Sequence, residues 1–201
     1  MNPQLFWYIA RASGIVSWAL LSLSVLWGVV LSTRLLGKRA TPAWLLDLHR
    51  FLGGTAVVFV VVHIAGLVAD SYAHFGPAEI LVPLASTWRP VAVAWGVVAL
   101  YLLAAVEITS LLRRRLPARL WRRIHMTSFA VWVLSTMHLF AAGTDAGNPV
   151  LQWTTLGLTL AVVFTIVVRV LSPKPDRAAR PGGEGRKLPP RSTVGSAPSP
   201  L

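Results

Sequence analysis

Four histidines form two pairs whose spacing could hold a metal-containing cofactor. His49 and His63 lie fourteen residues apart in one apolar stretch, and His125 and His138 lie thirteen apart in another. Imidazole is a common metal ligand in proteins and an axial ligand of haem iron. Ionisable residues inside such stretches are costly, which makes them functional hypotheses by default. The alternative for any one of them is a histidine that only forms hydrogen bonds in a core or at an interface.

The surroundings of these histidines have the composition of a membrane protein. Of 201 residues, 55% are hydrophobic and 13% are charged, which is too apolar for an ordinary soluble domain. The net charge of +12 falls in short loops and a tail rather than on a basic soluble surface, so we expect membrane lipid and no nucleic acid as partner. The lack of cysteine excludes disulfides, iron–sulfur clusters on cysteine, thiolate-ligated haem and c-type haem attachment.

Five apolar runs approach the roughly 20 residues that a membrane-spanning helix needs. They cover residues 13–33, 46–68, 91–112, 124–142 and 151–171. We therefore predict an all-α membrane protein, a bundle of five transmembrane helices that forms one domain over residues 1–171. Residues 70–90 are too polar and rich in proline to cross and should lie at the membrane surface. Residues 172–201 are predicted to be a disordered, basic tail rich in Pro, Gly and Ser.

The distribution of positive charge predicts the orientation in the membrane. Arg11 and Arg89 fall on one side of the predicted spans, and the other 17 of the 19 Lys and Arg residues fall on the opposite, cytoplasmic side. The N-terminus should then be outside and the C-terminus in the cytoplasm, in a multi-pass protein of the cell membrane such as a bacterial inner or plasma membrane. His49 and His125 should lie near the cytoplasmic surface and His63 and His138 near the outer surface, about 20 Å apart along each helix.

The spacing of the second pair predicts an irregular helix. A step of fourteen residues returns to within about 40° of the same helix face, whereas a step of thirteen misses it by about 140°. The fourth span should therefore tilt, kink or carry a wide turn between His125 and His138. Thr127, Ser128 and Ser135 could disturb the backbone there, because their hydroxyls can bond to backbone carbonyls.

Two glycines on the histidine face of the second span could make room for a flat cofactor. Gly53 follows His49 by four residues and Gly66 follows His63 by three, so each shares a face with its histidine. Glycine lets a helix backbone approach closely, as a porphyrin would require. The alternative is ordinary packing of small residues between membrane helices.

The chain resembles the ferric reductase-like transmembrane domain superfamily. That group includes ferric reductases, the NADPH oxidase membrane domain and the haem subunit of a periplasmic methionine sulfoxide reductase. The resemblance covers about residues 6–171 and rests on the motifs Leu-His-Arg-Phe (48–51), Val-His-Ile (62–64), Trp-Arg-Arg-Ile-His (121–125) and Met-His-Leu (137–139). It implies two b-type haems with bis-histidine ligation, in which His49 pairs with His125 and His63 with His138.

The resemblance further implies electron transfer from a cytoplasmic or membrane donor to an external acceptor. Larger family members continue into a flavin and nicotinamide domain, whereas this sequence carries no Gly-x-Gly-x-x-Gly motif after a strand. We therefore expect an oxidoreductase-type electron-transfer component with a separate donor, such as a flavoprotein, free reduced flavin or a quinol. The acceptor could be ferric iron, oxygen or a partner reductase. The alternative class is a haem-free membrane transporter or assembly subunit. His74 is expected to be a surface residue.

Overall fold

The computed structural model describes residues 4–33, 43–70 and 75–171, and the regular structure within these ranges is helical. In chain order the helices are α1 (Leu5–Thr33), α2 (Ala43–Ala69), α3 (Pro77–Leu81), α4 (Pro90–Leu111), α5 (Ala118–Met126), α6 (Ser128–Ala142) and α7 (Pro149–Leu171). The predicted tail, residues 172–201, and His74 lie outside the described residues.

Five helical segments are long and apolar enough to cross a membrane, which confirms the predicted helical membrane bundle. They are α1, α2, α4, the segment Ala118–Ala142 and α7. Lipid offers no partner for backbone polar groups, so an apolar run of this length satisfies its N–H and C=O groups within a helix. The first span begins at Leu5 rather than at residue 13, so Phe6, Trp7 and Tyr8 belong to the helix instead of preceding it.

The fourth span is irregular at Thr127, but it carries a tight turn there rather than the wide turn named in the prediction. This residue ends α5 and precedes α6, and its backbone N–H bonds to the carbonyl of Ile124 at 2.9 Å. The Thr127 hydroxyl donates to the same carbonyl at 2.7 Å. The chain thus makes one tight turn of the i to i+3 type, which interrupts the α-helical phase between His125 and His138.

The helices associate as two hairpin-like pairs. Helix α1 packs along α2, and α4 packs along α6, while α1 also contacts α6 and α7. Small residues permit the closest approach: a Cβ on Gly66 of α2 would lie only 2.9 Å from the backbone nitrogen of Ala10 in α1. Close backbone contact through small residues is a common basis of helix association in membranes, where apolar side chains gain little by leaving lipid.

Two tryptophans cross-link α1 and α6 by reciprocal hydrogen bonds. The Trp18 indole N–H donates to Thr136 Oγ1 at 2.9 Å, and the Trp132 indole N–H donates to Ser22 Oγ at 3.1 Å. Each hydroxyl in turn donates a hydrogen bond to the backbone carbonyl of a tryptophan. Ser22 donates to Trp18 and Thr136 donates to Trp132, both at 2.8 Å. Every donor of this Trp–hydroxyl clamp is therefore satisfied, as polar groups at this depth require.

A layer of aliphatic side chains fills the middle of the bundle. It is contributed by α1, α2, α4 and α6 and consists of Leu21, Ala56, Ala99, Leu103 and Val131. In sequence, Leu21 lies midway between Gly14 and Gly28, and Ala56 lies midway between His49 and His63. This aliphatic layer therefore separates the levels of the two histidine pairs.

The two ends of the bundle differ in charge. One, the basic end, holds the connection from α4 to α5 and carries Arg113, Arg114, Arg115, Arg119, Arg122 and Arg123. At the opposite end, Arg11 of α1 forms an ion pair with Asp145, and Arg89 donates to the Ala141 carbonyl at 2.6 Å. Arg89 precedes α4 with a positive φ of 39°, so the chain turns sharply into that helix.

The Trp–hydroxyl clamp gives a test of the packing. Replacing Trp132 by Phe should lower the free energy of unfolding by about 1 kcal/mol, because a buried interhelical hydrogen bond is lost. Ser22→Ala should lower the free energy of unfolding by a similar amount. The double variant should lower it by less than the sum of the two, because both substitutions remove the same hydrogen bond. Unfolding by dodecyl sulfate titration from a mild detergent measures these values.

Ser32→Ala is the matched control for the clamp, since the Ser32 hydroxyl donates to the Val29 carbonyl of its own helix. Strict additivity of Trp132→Phe and Ser22→Ala would mean that the two side chains do not act together.

Candidate functional site

The structure brings the four histidines together in two pairs. The ring centres of His49 of α2 and His125 of α5 lie 6.0 Å apart, with ring planes at 74°. The ring centres of His63 of α2 and His138 of α6 lie 6.4 Å apart, with ring planes at 85°. Two imidazoles that share one metal ion at about 2 Å from each nitrogen place their ring centres about 6 Å apart. Both pairs therefore have the spacing of two ligands on opposite sides of one metal.

Backbone carbonyls hold three of the four rings through Nδ1. His63 Nδ1 lies 2.7 Å from the Ala10 carbonyl oxygen, and His138 Nδ1 lies 2.8 Å from that of Ala92. His49 Nδ1 lies 3.1 Å from the Ser24 carbonyl oxygen. A carbonyl only accepts, so Nδ1 must carry the proton and Nε2 keeps its lone pair. This arrangement is typical of metal-binding histidines, whose second nitrogen is fixed by an outer partner.

Each of these three rings rests against a glycine four residues after the carbonyl it uses. A Cβ on Gly14 would lie 2.9 Å from His63 Nδ1, and one on Gly96 would lie 2.7 Å from His138 Nδ1. A Cβ on Gly28 would lie 3.1 Å from His49 Cε1. In a helix, the side chain at i+4 stands beside the carbonyl of residue i, so glycine opens the way to its second lone pair. We call each such pair, a backbone carbonyl and the glycine four residues later, a glycine seat.

Sequence reasoning missed the glycine seats, although a signal for them exists. The pattern small-x-x-x-Gly occurs at residues 10–14, 24–28 and 92–96. The first two occurrences are fourteen residues apart, which is also the spacing of His49 and His63. Matching periods on two antiparallel helices would have indicated that α1 supports the histidines of α2.

The two glycines predicted on the histidine face lie elsewhere in the packing. Gly66 packs against the backbone of Ala10, where it allows α1 and α2 to approach. A Cβ on Gly53 would lie 3.2 Å from Glu107 Oε1 of α4 and 3.8 Å from Ser24 Oγ. Gly53 thus gives space to a half-buried carboxyl group rather than to an imidazole ring. A role of either glycine beside a bound cofactor stays a prediction.

A cavity of about 490 Å³ surrounds the pair His63 and His138. This volume lies within the range of small-molecule and cofactor sites. Apolar and aromatic side chains from α1, α2, α4 and α6 line most of it, and the aliphatic layer closes its inner end. Polar groups line its other end, among them Arg11, Glu79 and Asp145. The cavity is therefore apolar around the imidazoles and charged where it approaches the end of the bundle.

The pair at the basic end has different surroundings. Trp121 stacks on His125, with ring centres 5.0 Å apart and planes at 24°. Arg113 lies over the Trp121 ring at 4.4 Å, and the indole N–H of Trp121 reaches Ser110 Oγ at 3.5 Å. Nδ1 of His125 is buried, and no hydrogen-bond partner for it occurs among the described residues.

The arrangement suits a planar metal complex better than a bare metal ion. Across the ranges that the structure describes, no three His, Cys, Asp or Glu side chains form a metal-binding group. Two imidazoles supply two ligands, so a metal held at either pair would take its remaining ligands from another source, such as a cofactor with donor atoms of its own. A porphyrin has this property, and a histidine pair is one of its known protein ligand sets.

Comparison with known proteins gives one match. The model of the family described as ferric reductase-like transmembrane component matches residues 13–136. The matched region contains the glycines of all three seats together with His49, His63 and His125, but it begins after Ala10 and ends two residues before His138. Neither the curated proteins nor the solved structures contain a significant match to this chain.

The glycine seats predict opposite effects for two Gly→Ala substitutions. Gly96→Ala should lower the free energy of unfolding by about 1–3 kcal/mol, because the new Cβ displaces His138 from the Ala92 carbonyl. Gly157→Ala in α7 is the control, since no atom lies within 4 Å of an added Cβ there. It should raise stability by roughly 0.5–1 kcal/mol, the usual helix preference of Ala over Gly. If dodecyl sulfate titrations gave the same change in the free energy of unfolding for Gly96→Ala and Gly157→Ala, the glycine seat assigned to Ala92 and Gly96 would be contradicted.

Proposed function

Because the chain belongs to the family of ferric reductase-like transmembrane components, we propose that it carries electrons across a membrane through two b-type haems. The observation that carries this proposal is the pairing of four imidazoles, at ring-centre distances of 6.0 and 6.4 Å, on either side of an aliphatic layer. Family membership by itself indicates transmembrane electron transfer, and the histidine geometry supports the specific cofactor.

The proposed ligands are His49 with His125 at the basic end and His63 with His138 at the other end. When bound, haem supplies reversible one-electron chemistry at iron, which no amino-acid side chain in this bundle offers. The chain contributes the axial nitrogens, and the carbonyls of Ala10, Ser24 and Ala92 keep Nε2 of three histidines free to bind. A hydrogen bond at Nδ1 also raises the basicity of the ligating nitrogen, so these carbonyls strengthen the ligation.

The packing around the histidines provides the medium for electron transfer. The cavity at His63 and His138 surrounds the imidazoles mostly with apolar side chains, and the aliphatic layer separates the two levels with a low-dielectric barrier. Fourteen residues of α2 place its two histidines about 20 Å apart along the helix. The bundle would therefore hold the two proposed redox sites at two depths.

The charge distribution supports a direction for the transfer. We propose that the basic end faces the cytoplasm, with the N-terminus outside and the C-terminus inside, because short arginine-rich connections stay on the cytoplasmic side. An inside-negative membrane potential then favours outward movement of an electron by about 2.3 kcal/mol per 100 mV. Electrons would move from the level of His49 and His125 to that of His63 and His138.

The proposal requires a separate donor and an external acceptor. The donor class is a flavoprotein, free reduced flavin or a quinol on the cytoplasmic or membrane side, and the acceptor class is ferric iron, oxygen or a partner reductase. Arg113, Arg119, Arg122 and Arg123 at the basic end offer charge to an acidic donor protein. At the opposite end, the cavity at His63 and His138 approaches the surface beside Arg11 and Asp145.

Haem content tests the proposed function directly. Protein purified in detergent from haem-replete cells should show reduced b-type absorption bands and two haems per chain by the pyridine haemochrome assay. His63→Ala should lower the content to one, because the remaining imidazole of that pair is a single ligand, and His49→Ala should do the same at the basic end. His74→Ala is the control with the same substitution and should retain two haems. Colourless protein would refute the proposal.

A further inference from the structure

The four histidines differ in the hydrogen-bond partner of Nδ1. His49, His63 and His138 each place Nδ1 against a carbonyl of a glycine seat, at distances of 2.7–3.1 Å. Nδ1 of His125 is buried, and within the described residues it has no such partner. An unpaired buried N–H loses its water without gaining an acceptor, so His125 is the least anchored of the four rings.

The sequence of α4 suggests why the described residues provide no fourth glycine seat. Gly96 of this helix receives His138, and the level of His125 is reached thirteen to fourteen residues further along, at Thr109 and Ser110. Both residues carry a Cβ. At the three glycine seats an added Cβ would lie only 2.7–3.1 Å from an imidazole atom. At this level of α4 the Thr109 hydroxyl itself donates to the carbonyls of Ala105 and Val106, at 2.7 and 3.2 Å, so these carbonyls are not left open as that of Ala92 is.

Trp121 contacts the face of the His125 ring rather than Nδ1. It stacks on the His125 ring at 5.0 Å, and it is itself held by Ser110 Oγ at 3.5 Å and by the Arg113 guanidinium at 4.4 Å. A stacked indole limits rotation of the imidazole, but its face accepts no strong hydrogen bond from Nδ1. Loss of an outer hydrogen bond at a ligating histidine typically weakens metal binding by about 10- to 100-fold.

We propose that His125 is an exchangeable ligand and that the site at the basic end binds a small diatomic molecule in its place. This inference rests on the proposed haem ligation. In the exchange, His125 Nε2 would give up its bond to ferrous haem iron and the diatomic molecule would take its place. Iron stays ferrous, and no electron or proton is transferred. The pair His63 and His138 resists the same exchange, because Nδ1 of each ring lies against the carbonyl of a glycine seat.

Carbon monoxide is the probe for this site. The full chain is reduced in detergent and titrated with carbon monoxide while the absorption spectrum is recorded. We expect saturation at one molecule per two haems. To locate the site, both histidines of one pair are replaced together, so that the remaining haem and its ligands belong to the other pair alone. The variant His63→Ala/His138→Ala should keep one haem that binds carbon monoxide, whereas His49→Ala/His125→Ala should keep one haem that does not.

Trp121 supplies a second test in a chain that keeps all four histidines. It acts as a positioning residue, so Trp121→Ala should free the His125 ring and raise the affinity for carbon monoxide by about 10-fold. Trp153→Ala is the matched control, since Trp153 is 72% exposed on α7, and its affinity should equal that of the unaltered chain.

The outcomes separate the two proposals. Colourless protein would refute haem binding itself. A protein with two haems that binds no carbon monoxide, or that binds it at the level of His63 and His138, would overturn the assignment of His125 while leaving electron transfer intact. An unchanged affinity in Trp121→Ala would likewise overturn the role given to Trp121.

Discussion

The site depends on one interaction, the hydrogen bond from an imidazole Nδ1 to a helix carbonyl that already serves its own helix. A carbonyl oxygen has two lone pairs, and in an α-helix the second one is usually covered by the side chain four residues later. Gly14, Gly28 and Gly96 remove that cover, so α1 and α4 can hold rings that α2 and α6 present. The same contacts therefore pack the helices together and orient the histidine rings in this bundle.

Much of this architecture follows from the sequence because the membrane limits the alternatives. Long apolar runs must become helices, and the predicted spans agree with the structure to within three residues, apart from the earlier starts of the first span at Leu5 and of the fourth at Ala118. The thirteen-residue spacing of His125 and His138 predicted an interruption, and Thr127 supplies it. The resemblance to a known family implied which histidines pair, and the structure places those rings about 6 Å apart.

The supports of the histidines were harder to predict, because periodicity describes one helix and does not say which helix faces it. Gly53 and Gly66 share a face with histidines and were natural candidates, yet they lie against Glu107 and Ala10. The glycines that do contact imidazoles lie on α1 and α4, far away in sequence. The Trp–hydroxyl clamp was missed for the same reason, since Trp18 and Thr136 are 118 residues apart.

The aliphatic layer limits which particles besides electrons can pass from one level of the bundle to the other. Leu21, Ala56, Ala99, Leu103 and Val131 offer no hydroxyl, carboxyl or amide along which a proton could hop. An electron tunnels through such packing, whereas a hydrated ion would have to shed its water in a medium that cannot replace it. Under the proposed function, electrons would cross this layer, whereas protons and metal ions find no path between these five side chains.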